Sequence, residues 1–368
     1  MIDLINHQPR QLTASAAVLL LIGMTTVALQ ASEIKSDEVV LFFPVAAHLD
    51  ADQKHWIIPV HGWIYEPEFN SRRRNILIDQ IASGLKLVPK AGRDKAFRSR
   101  MRMFLADNEC GKTLQIRIGD KKYDLEESGA NGHFQANLKI PRDQIANPPK
   151  PNGWLSLQAV TDEDDERKFI GQAQLVGPSG VCVVSDIDDT IKDSNVLNKT
   201  QLIINTFVLS YKPAAGMAEV YARWSKQGAS FHYVSSSPWQ LYPALSVFMT
   251  QNGFPDGSFH LKSVRFKDQT LANLIASSAK TKPPIIESIM KRYPGRRFIM
   301  VGDSGEKDPE VYGLMARNHP KQIIQIYIRR VQGADNSDTR FNAAFKDVPK
   351  EKWTVFTDAA KLADLPAK

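Results

Sequence analysis

The sequence predicts two unlike halves. Residues 36–178 read as a mainly antiparallel, β-sandwich-like domain with inserted helices, and residues 179–368 as an α/β domain. The second has a parallel sheet with helices on both faces and no large cap. Three observations predict this. Short strand-like runs separated by Gly, Pro and Asn turns fill the first half. Strand-like and helix-like runs alternate in the second. The apolar run Val181-Cys182-Val183-Val184-Ser185 rises abruptly into Asp186, Asp188 and Asp189, as a buried strand does where it ends at a cleft.

The chain has 368 residues, enough for two cores, with no low-complexity tract and no repeat at solenoid periods. A formal net charge of +7 suits an anionic partner: a lipid headgroup, a nucleic acid or a phosphorylated substrate. A merely well-solvated surface has the same charge. There is no zinc-finger spacing and no basic-aromatic stripe, so nucleic acid is not expected. Two cysteines, Cys110 and Cys182, are too few for a disulfide framework. Cys182 is expected as a buried core thiol, and a single bridge to Cys110 is the alternative in an oxidising compartment.

Residues 1–31 read as a cleaved secretory signal. Arg10 supplies the positive end, Leu12 to Leu29 is almost wholly apolar or small, and Ala28-Leu29-Gln30-Ala31 offers a cut site. In a bacterium this means export to the periplasm or its membrane face. An uncleaved membrane anchor is the competing reading.

In the first half, Val39 to Pro44, Trp56 to Tyr65, Thr113 to Ile118, His133 to Ile140, Trp154 to Val160 and Lys168 to Val176 are strand candidates. Ser71 to Leu87 reads as a helix capped by Asn70 or Ser71, with Ile78, Ile81 and Leu85 on one face. Asp94 to Leu105 reads as another. His61 and His133 have no neighbouring ligand pair in sequence and are expected as core or surface residues. Arg72-Arg73-Arg74 is a solvated helix face or a contact for anionic lipid. Asp162 to Glu166 reads as a charged hairpin tip, Pro148 to Pro151 as a stiff connector, and Gly177 to Gly180 as the boundary between halves.

In the second half, Phe231 to Val234 is a strand ending in Ser235, with Pro238 opening a helix that Ser237 caps. Phe298 to Val301 is a strand ending in Asp303 and Asp308. Ile323 to Ile328 and Thr354 to Phe356 follow, with helices at Met217 to Lys226 and Ile285 to Arg292. Lys282 precedes the last of these helices. Polar strand ends in a parallel sheet assemble a site along one edge.

The residue types suit phosphoryl transfer. Asp186 and Asp188 share a face of an extended strand, where their repulsion is relieved by a divalent cation. An ionised carboxylate attacks phosphorus. A second carboxyl protonates the departing alkoxide and then deprotonates water. Oxygen ligands from Asp186, Asp303 and a backbone carbonyl suit octahedral magnesium. A lysine and a hydroxyl offset charge on the equatorial oxygens. Asp189 is divided evenly between such a role and a cap or surface charge. Ser235 is divided between phosphoryl contact and helix capping.

Asp186-Ile187-Asp188-Asp189-Thr190 resembles the first motif of the haloacid dehalogenase superfamily, Val234-Ser235 its second, Lys282 its third, and Gly302-Asp303-Ser304 with Asp308 its fourth. Ser185 to Lys192, Tyr233 to Leu241 and Val301 to Glu310 resemble the phosphatidate phosphatases of the actin-patch-protein type. Gly62 to Glu68 and Asn131 to Phe134 are similar to stretches of bacterial members. The resemblance implies a haloacid-dehalogenase-like sheet and a magnesium-dependent enzyme that hydrolyses phosphatidate through an aspartyl-phosphate. It implies Asp186 as nucleophile and Asp188 as general acid/base. Magnesium would be held by Asp186, the main chain of Asp188, Asp303 and Asp308. Thr190, Ser235, Ser236 and Lys282 would meet the substrate, an anionic phospholipid at a membrane surface. Thr281 stands where a histidine is usual, Pro283-Pro284 follows the lysine, and Ser236 replaces the commoner Asn. A soluble phosphomonoester and a non-catalytic phosphatidate-binding module are the alternatives, and intact Asp186 and Asp188 favour the enzyme.

The stretch from Asn198 to Gly216 is long enough for a helix and too short for a large cap. Its apolar run around Phe207 and Leu209 reads either as a lipid contact or as a helix buried against the sheet or the first half. Arg329 and Arg330 are expected to steer anions or to face solvent.

Overall fold

The computed structural model describes residues 34–68, 71–84, 95–145, 153–264 and 280–365. The leader and the Pro148–Pro151 connector lie outside them. The first half comprises β1 (Val39–Phe42), β2 (Val45–Leu49), β3 (His55–Glu66), β4 (Asp107–Asn108), β5 (Gln115–Ile118), β6 (Lys121–Asp124), β7 (His133–Pro141), β8 (Trp154–Val160) and β9 (Ile170–Leu175). Polar–apolar alternation along β3 turns Trp56, Ile58 and Val60 inward, where they meet Ile116 of β5 and Leu157 of β8 in one apolar cluster.

The strand order is β1-β3-β2-β9-β8-β5-β6, with β4 and β7 also paired to β3. Two details differ from expectation. The run Val39 to Pro44 does not make one strand, because Pro44 has no N–H for a ladder and the chain re-pairs after it as β2. β2 then bonds β3 antiparallel and β9 parallel. It thereby joins the strands into one continuous sheet rather than two separate ones.

Helices α1 (Arg72–Gly84) and α2 (Lys95–Phe104) form where the periodicity predicts. Ser71 Oγ accepts the N–H of Arg74 at 3.4 Å. On α1, Ile78 and Ala82 are buried and Ile81 is half-buried, and Leu85 lies outside the described residues. Arg74 pairs with Asp107. Asp162 to Asp165 turns between β8 and β9, held by the Arg167–Asp165 pair.

The second half comprises β10 (Gly180–Ser185), α3 (Lys199–Ile203), α4 (Met217–Lys226), β11 (Ser230–Pro238), α5 (Tyr242–Gln251), β12 (Ser258–Lys262), α6 (Lys282–Arg292), β13 (Arg296–Asp303), α7 (Asp308–Asn318), β14 (Ile323–Arg329), α8 (Asp338–Ala344) and β15 (Trp353–Phe356). The sheet is parallel throughout, in the order β12-β11-β10-β13-β14-β15. β12 is a strand the sequence reading did not separate from its surroundings. β10 is central and apolar on both faces. Val181 and Val183 enter one core with α4 and α5, and Cys182 and Val184 enter another with α6, α7 and α8.

The first half packs on the α4–α5 side, contributing Phe43, Trp63, Phe97, Met101 and Phe104 to that core. Both cysteines are free, Cys110 exposed and Cys182 buried, so the Cys110–Cys182 bridge does not form. Among the described residues no helix is long and apolar enough to cross a membrane. The strand order reverses between β10 and β13, so their carboxyl ends open the crevice where ligands bind in such sheets.

Candidate active site

Asp186 follows β10 directly, and its N–H is bonded to Val301 O of β13 at 2.9 Å. Asp303 ends β13 and Asp308 opens α7. Carboxylate oxygens of Asp186, Asp303 and Asp308 lie within 4.8 Å of one another, all buried. This proximity depends on Gly302, where a Cβ would stand 2.4 Å from Asp308 Oδ2. Asp308 Oδ2 accepts the N–H of Asp303 at 3.2 Å.

Lys282 is buried among these acids. Its Nζ lies 2.9 Å from Asp186, 2.5 Å from Asp308 and 3.4 Å from Glu306. The helix expected from Ile285 starts instead at Lys282, since Pro283 and Pro284 occupy its first turn, where a missing N–H breaks no bond. Burial alone would strip the lysine of its charge, but Asp186, Asp308 and Glu306 outweigh it and hold the pKa well above the usual lysine range.

One cation does not balance the cluster. Burial pushes Asp186 well above the ordinary carboxylate range against the pull of Lys282, and burial with the Asp308 and Asp186 charges does the same to Asp303. Asp303 Oδ1 accepts from the N–H groups of Gly305 and Glu306, at 2.6 and 3.2 Å. Asp303 Oδ2 is buried with no hydrogen-bond partner. An orphaned buried carboxylate oxygen beside two more carboxylates fits a hard, oxygen-preferring divalent cation.

Asp188 has the opposite surroundings. Lys192 Nζ lies 2.7 Å from its Oδ1. The Ser194 hydroxyl donates at 2.6 Å, Ser235 at 3.2 Å and Ser237 at 2.9 Å. Burial raises its pKa, but Lys192 and the Ser194 and Ser237 hydroxyls more than compensate and hold it at about 2. Asp186, Asp188, Ser235, Ser236 and Ser237 line a narrow cleft, together with Glu306 and the apolar or small side chains of Val196, Leu202 and Thr206. A wider groove between His48, Asp50, Glu287 and Arg292 contains none of the site residues.

Several expectations need correction. No helix begins at Pro238: β11 runs through the serines to Pro238, a 3₁₀ turn spans Trp239–Leu241, and α5 starts at Tyr242. Ser237 is therefore no cap, and neither is Ser235, because both hydroxyls face Asp188. Thr190, expected to meet substrate, is fully buried and donates to Asp186 Oδ2 at 3.1 Å. Asp189 is neither helix cap nor surface charge. It adopts φ 53° and gathers the N–H groups of Ser194, Asn195 and Val196 at 2.6–2.8 Å, shaping the loop beside the cleft.

Arg329 donates to Asp189 O at 2.7 Å and pairs with Asp193, while Arg330 is exposed and donates to Asn336 O. His61 and His133, distant in sequence, are partners, with ring nitrogens 3.0 Å apart beside Phe43 and Trp239. Phe207 is fully buried and packs on Phe104 of α2 at 5.6 Å, so it is core and not a lipid contact, while Leu209 is exposed.

Sequence reasoning missed Lys192, Ser194 and Ser237. The signal for Ser237 was present: Ser235 and Ser237 are two apart on a strand and so share a face.

Residues 181–330 match the family described as "Phosphatidate phosphatase APP1, catalytic domain". Among curated proteins, the chain is 36% identical over 206 residues to Phosphatidate phosphatase APP1 of Saccharomyces cerevisiae, covering 52% of this chain and 31% of that one. It is 28% identical over 209 residues to an uncharacterized protein of Schizosaccharomyces pombe, covering 55% and 34%. The matched stretch thus spans about a third of the length of these relatives. Among solved structures, a sialyltransferase from Photobacterium damsela aligns with 9% identity, 59% and 37% coverage and a TM-score of 0.21, which carries no argument.

Proposed function

We propose that this protein is a divalent-cation-dependent phosphatase that releases phosphate from phosphatidate, on a haloacid-dehalogenase-like sheet. The observation that carries the reading is the convergence of Asp186, Asp303 and Asp308, with Asp303 Oδ2 buried and unpaired. The similarity of residues 181–330 to an APP1 catalytic domain supports the substrate class.

In this reading Asp186, Asp303 and Asp308 hold magnesium, which supplies positive charge against the phosphoryl oxygens. Thr190 and Lys282 fix the Asp186 carboxylate, leaving it directed at phosphorus. Attack forms an aspartyl-phosphate and breaks the ester P–O bond. Asp188, ionised at rest beside Lys192, takes the proton of the substrate's phosphate monoanion and passes it to the departing alkoxide of diacylglycerol. As carboxylate it then takes a proton from the water that hydrolyses the intermediate, which releases phosphate and restores Asp186. The Ser235 and Ser237 hydroxyls, bonded to Asp188 at rest, exchange that bond for one to the phosphoryl group. Lys282 balances the charge spread over the equatorial oxygens.

The test is phosphate release from detergent-dispersed phosphatidate with and without magnesium, alongside Asp186→Asn. Magnesium-dependent release that falls at least about a thousandfold in the variant is expected. Release from soluble phosphate esters alone, or lipid retention without release, overturns the reading.

A further inference from the structure

The wall of the cleft is not held by its own half of the chain alone. After α3 the backbone runs through a π-turn, Ile204–Val208, closed by Leu209 N–H to Ile204 O at 3.0 Å. Such a turn leaves carbonyls beyond its end without helical partners, and π-turns recur at functional sites. Here Arg100 of α2 reaches across from the β-rich half. Its Nη1 donates to Thr206 O at 3.0 Å and to Leu209 O at 2.7 Å. Tyr211 Oη donates to the same Thr206 O at 3.1 Å.

The Arg100 guanidinium also lies over the Tyr211 ring, 4.0 Å from its centroid, and Lys192 Nζ lies 4.8 Å from that centroid. Lys192 in turn pairs with Asp188. Two cations thus share one aromatic ring between the first half and the acid/base carboxylate. Leu202 and Thr206, on the helix and turn that Arg100 anchors, line the cleft. Arg100 is itself buried, and its charge is matched by carbonyl oxygens at the negative end of a helical segment, where a cation is favoured.

We propose that Arg100 is a positioning residue for the site on the other half, acting through the Thr206–Leu209 carbonyls and through Tyr211 on Lys192 and Asp188. This rests on the phosphatase reading and gives the β-rich half a part in turnover: it completes the wall of the cleft. The ring and guanidinium fix where Lys192 holds Asp188, so their loss lowers kcat more than it raises KM.

The test uses the full chain. Arg100→Ala, Arg100→Lys and the control Arg98→Ala, an exposed-pair residue on the same helix, are assayed well below their melting temperatures. Phosphate release is measured from phosphatidate and from a soluble phosphate ester. Expected are a roughly tenfold fall in kcat per folded molecule with KM changed less than about threefold in Arg100→Ala, recovery of most of that loss in Arg100→Lys, and no change in Arg98→Ala. A lowered melting temperature with unchanged kcat per folded molecule overturns the proposal. If the unaltered protein releases phosphate from neither substrate, the phosphatase reading has failed. Amide exchange over 199–211 then decides the positioning: faster in Arg100→Ala supports it, unchanged overturns it.

Discussion

The two ends of the central strands β10 and β13 both bury charge, and they treat it in opposite ways. At the amino end, Arg296 opens β13 and is 2% exposed. Its guanidinium donates to Gly177 O, Ser179 O and Val181 O at 2.5–3.0 Å, with Cys182 Sγ at 3.0 Å. That charge is fully furnished by the chain. At the carboxyl end, Asp186, Asp303 and Asp308 crowd around Lys282 with one oxygen left over. A buried charge that the fold completes by itself reads as structure, and one that the fold leaves incomplete reads as a place for a ligand.

The largest effect that tests this contrast belongs to the furnished end. Arg296→Met removes the donor to three carbonyls and is expected to cost about 3 kcal/mol in urea unfolding, equally with and without magnesium. A magnesium-sensitive loss would erase the distinction. The second concerns the unfurnished end. Magnesium at a hundred times its dissociation constant should stabilise the protein by about 2.7 kcal/mol. Asp303→Asn should abolish that gain while raising the melting temperature of the metal-free protein, because it removes a repelling charge. A variant that melts lower without metal, or still responds to it, would contradict the assignment.

The smallest effect concerns a half-buried pair at neither end. Burial, with the nearby His133 and His260, pushes His61 down to about 3, and burial pushes His133 down to about 4. Both are neutral when folded at pH 7. A depressed folded pKa means that the unfolded chain binds the extra protons. The stabilisation is therefore present above the unfolded histidine pKa near 6.5 and is lost as pH falls toward the folded values. From pH 7 to pH 6 this pair's share of the loss should be about 1 kcal/mol, removed in His61→Gln/His133→Gln and indifferent to magnesium, while His232 and His260, likewise held down by burial, keep theirs. An unchanged slope in that variant would mean the pair titrates normally.

The parts legible in the sequence were those where local pattern and burial coincide. Apolar strands running into Asp186, Asp188 and Asp303 marked the crevice because Val181 to Val184 of β10 and the run Phe298 to Val301 of β13 are buried and apolar shortly before the acids begin. What could not be read depended on distant contacts. The His61–His133 pair spans 72 positions. Pro238 carried a helix-start signal, but pairing of β11 with β10 and β12 overrode it. For Asp189 a site role and a cap or surface charge stay equally open in the sequence because its three N–H partners come from a loop whose shape the carboxylate itself creates. For Phe207 a lipid contact and a buried position stay equally open in the sequence because its cover, Phe104, belongs to the other half.

One narrow tolerance beside the site is a single hydrogen atom, the one Gly302 carries in place of a side chain. With Asp308 Oδ2 2.4 Å and the Tyr312 ring 2.7 Å from where a methyl would sit, even alanine would pry the acids apart. The charge density of the whole crevice is thereby set by a residue that has no charge, and no functional group, of its own.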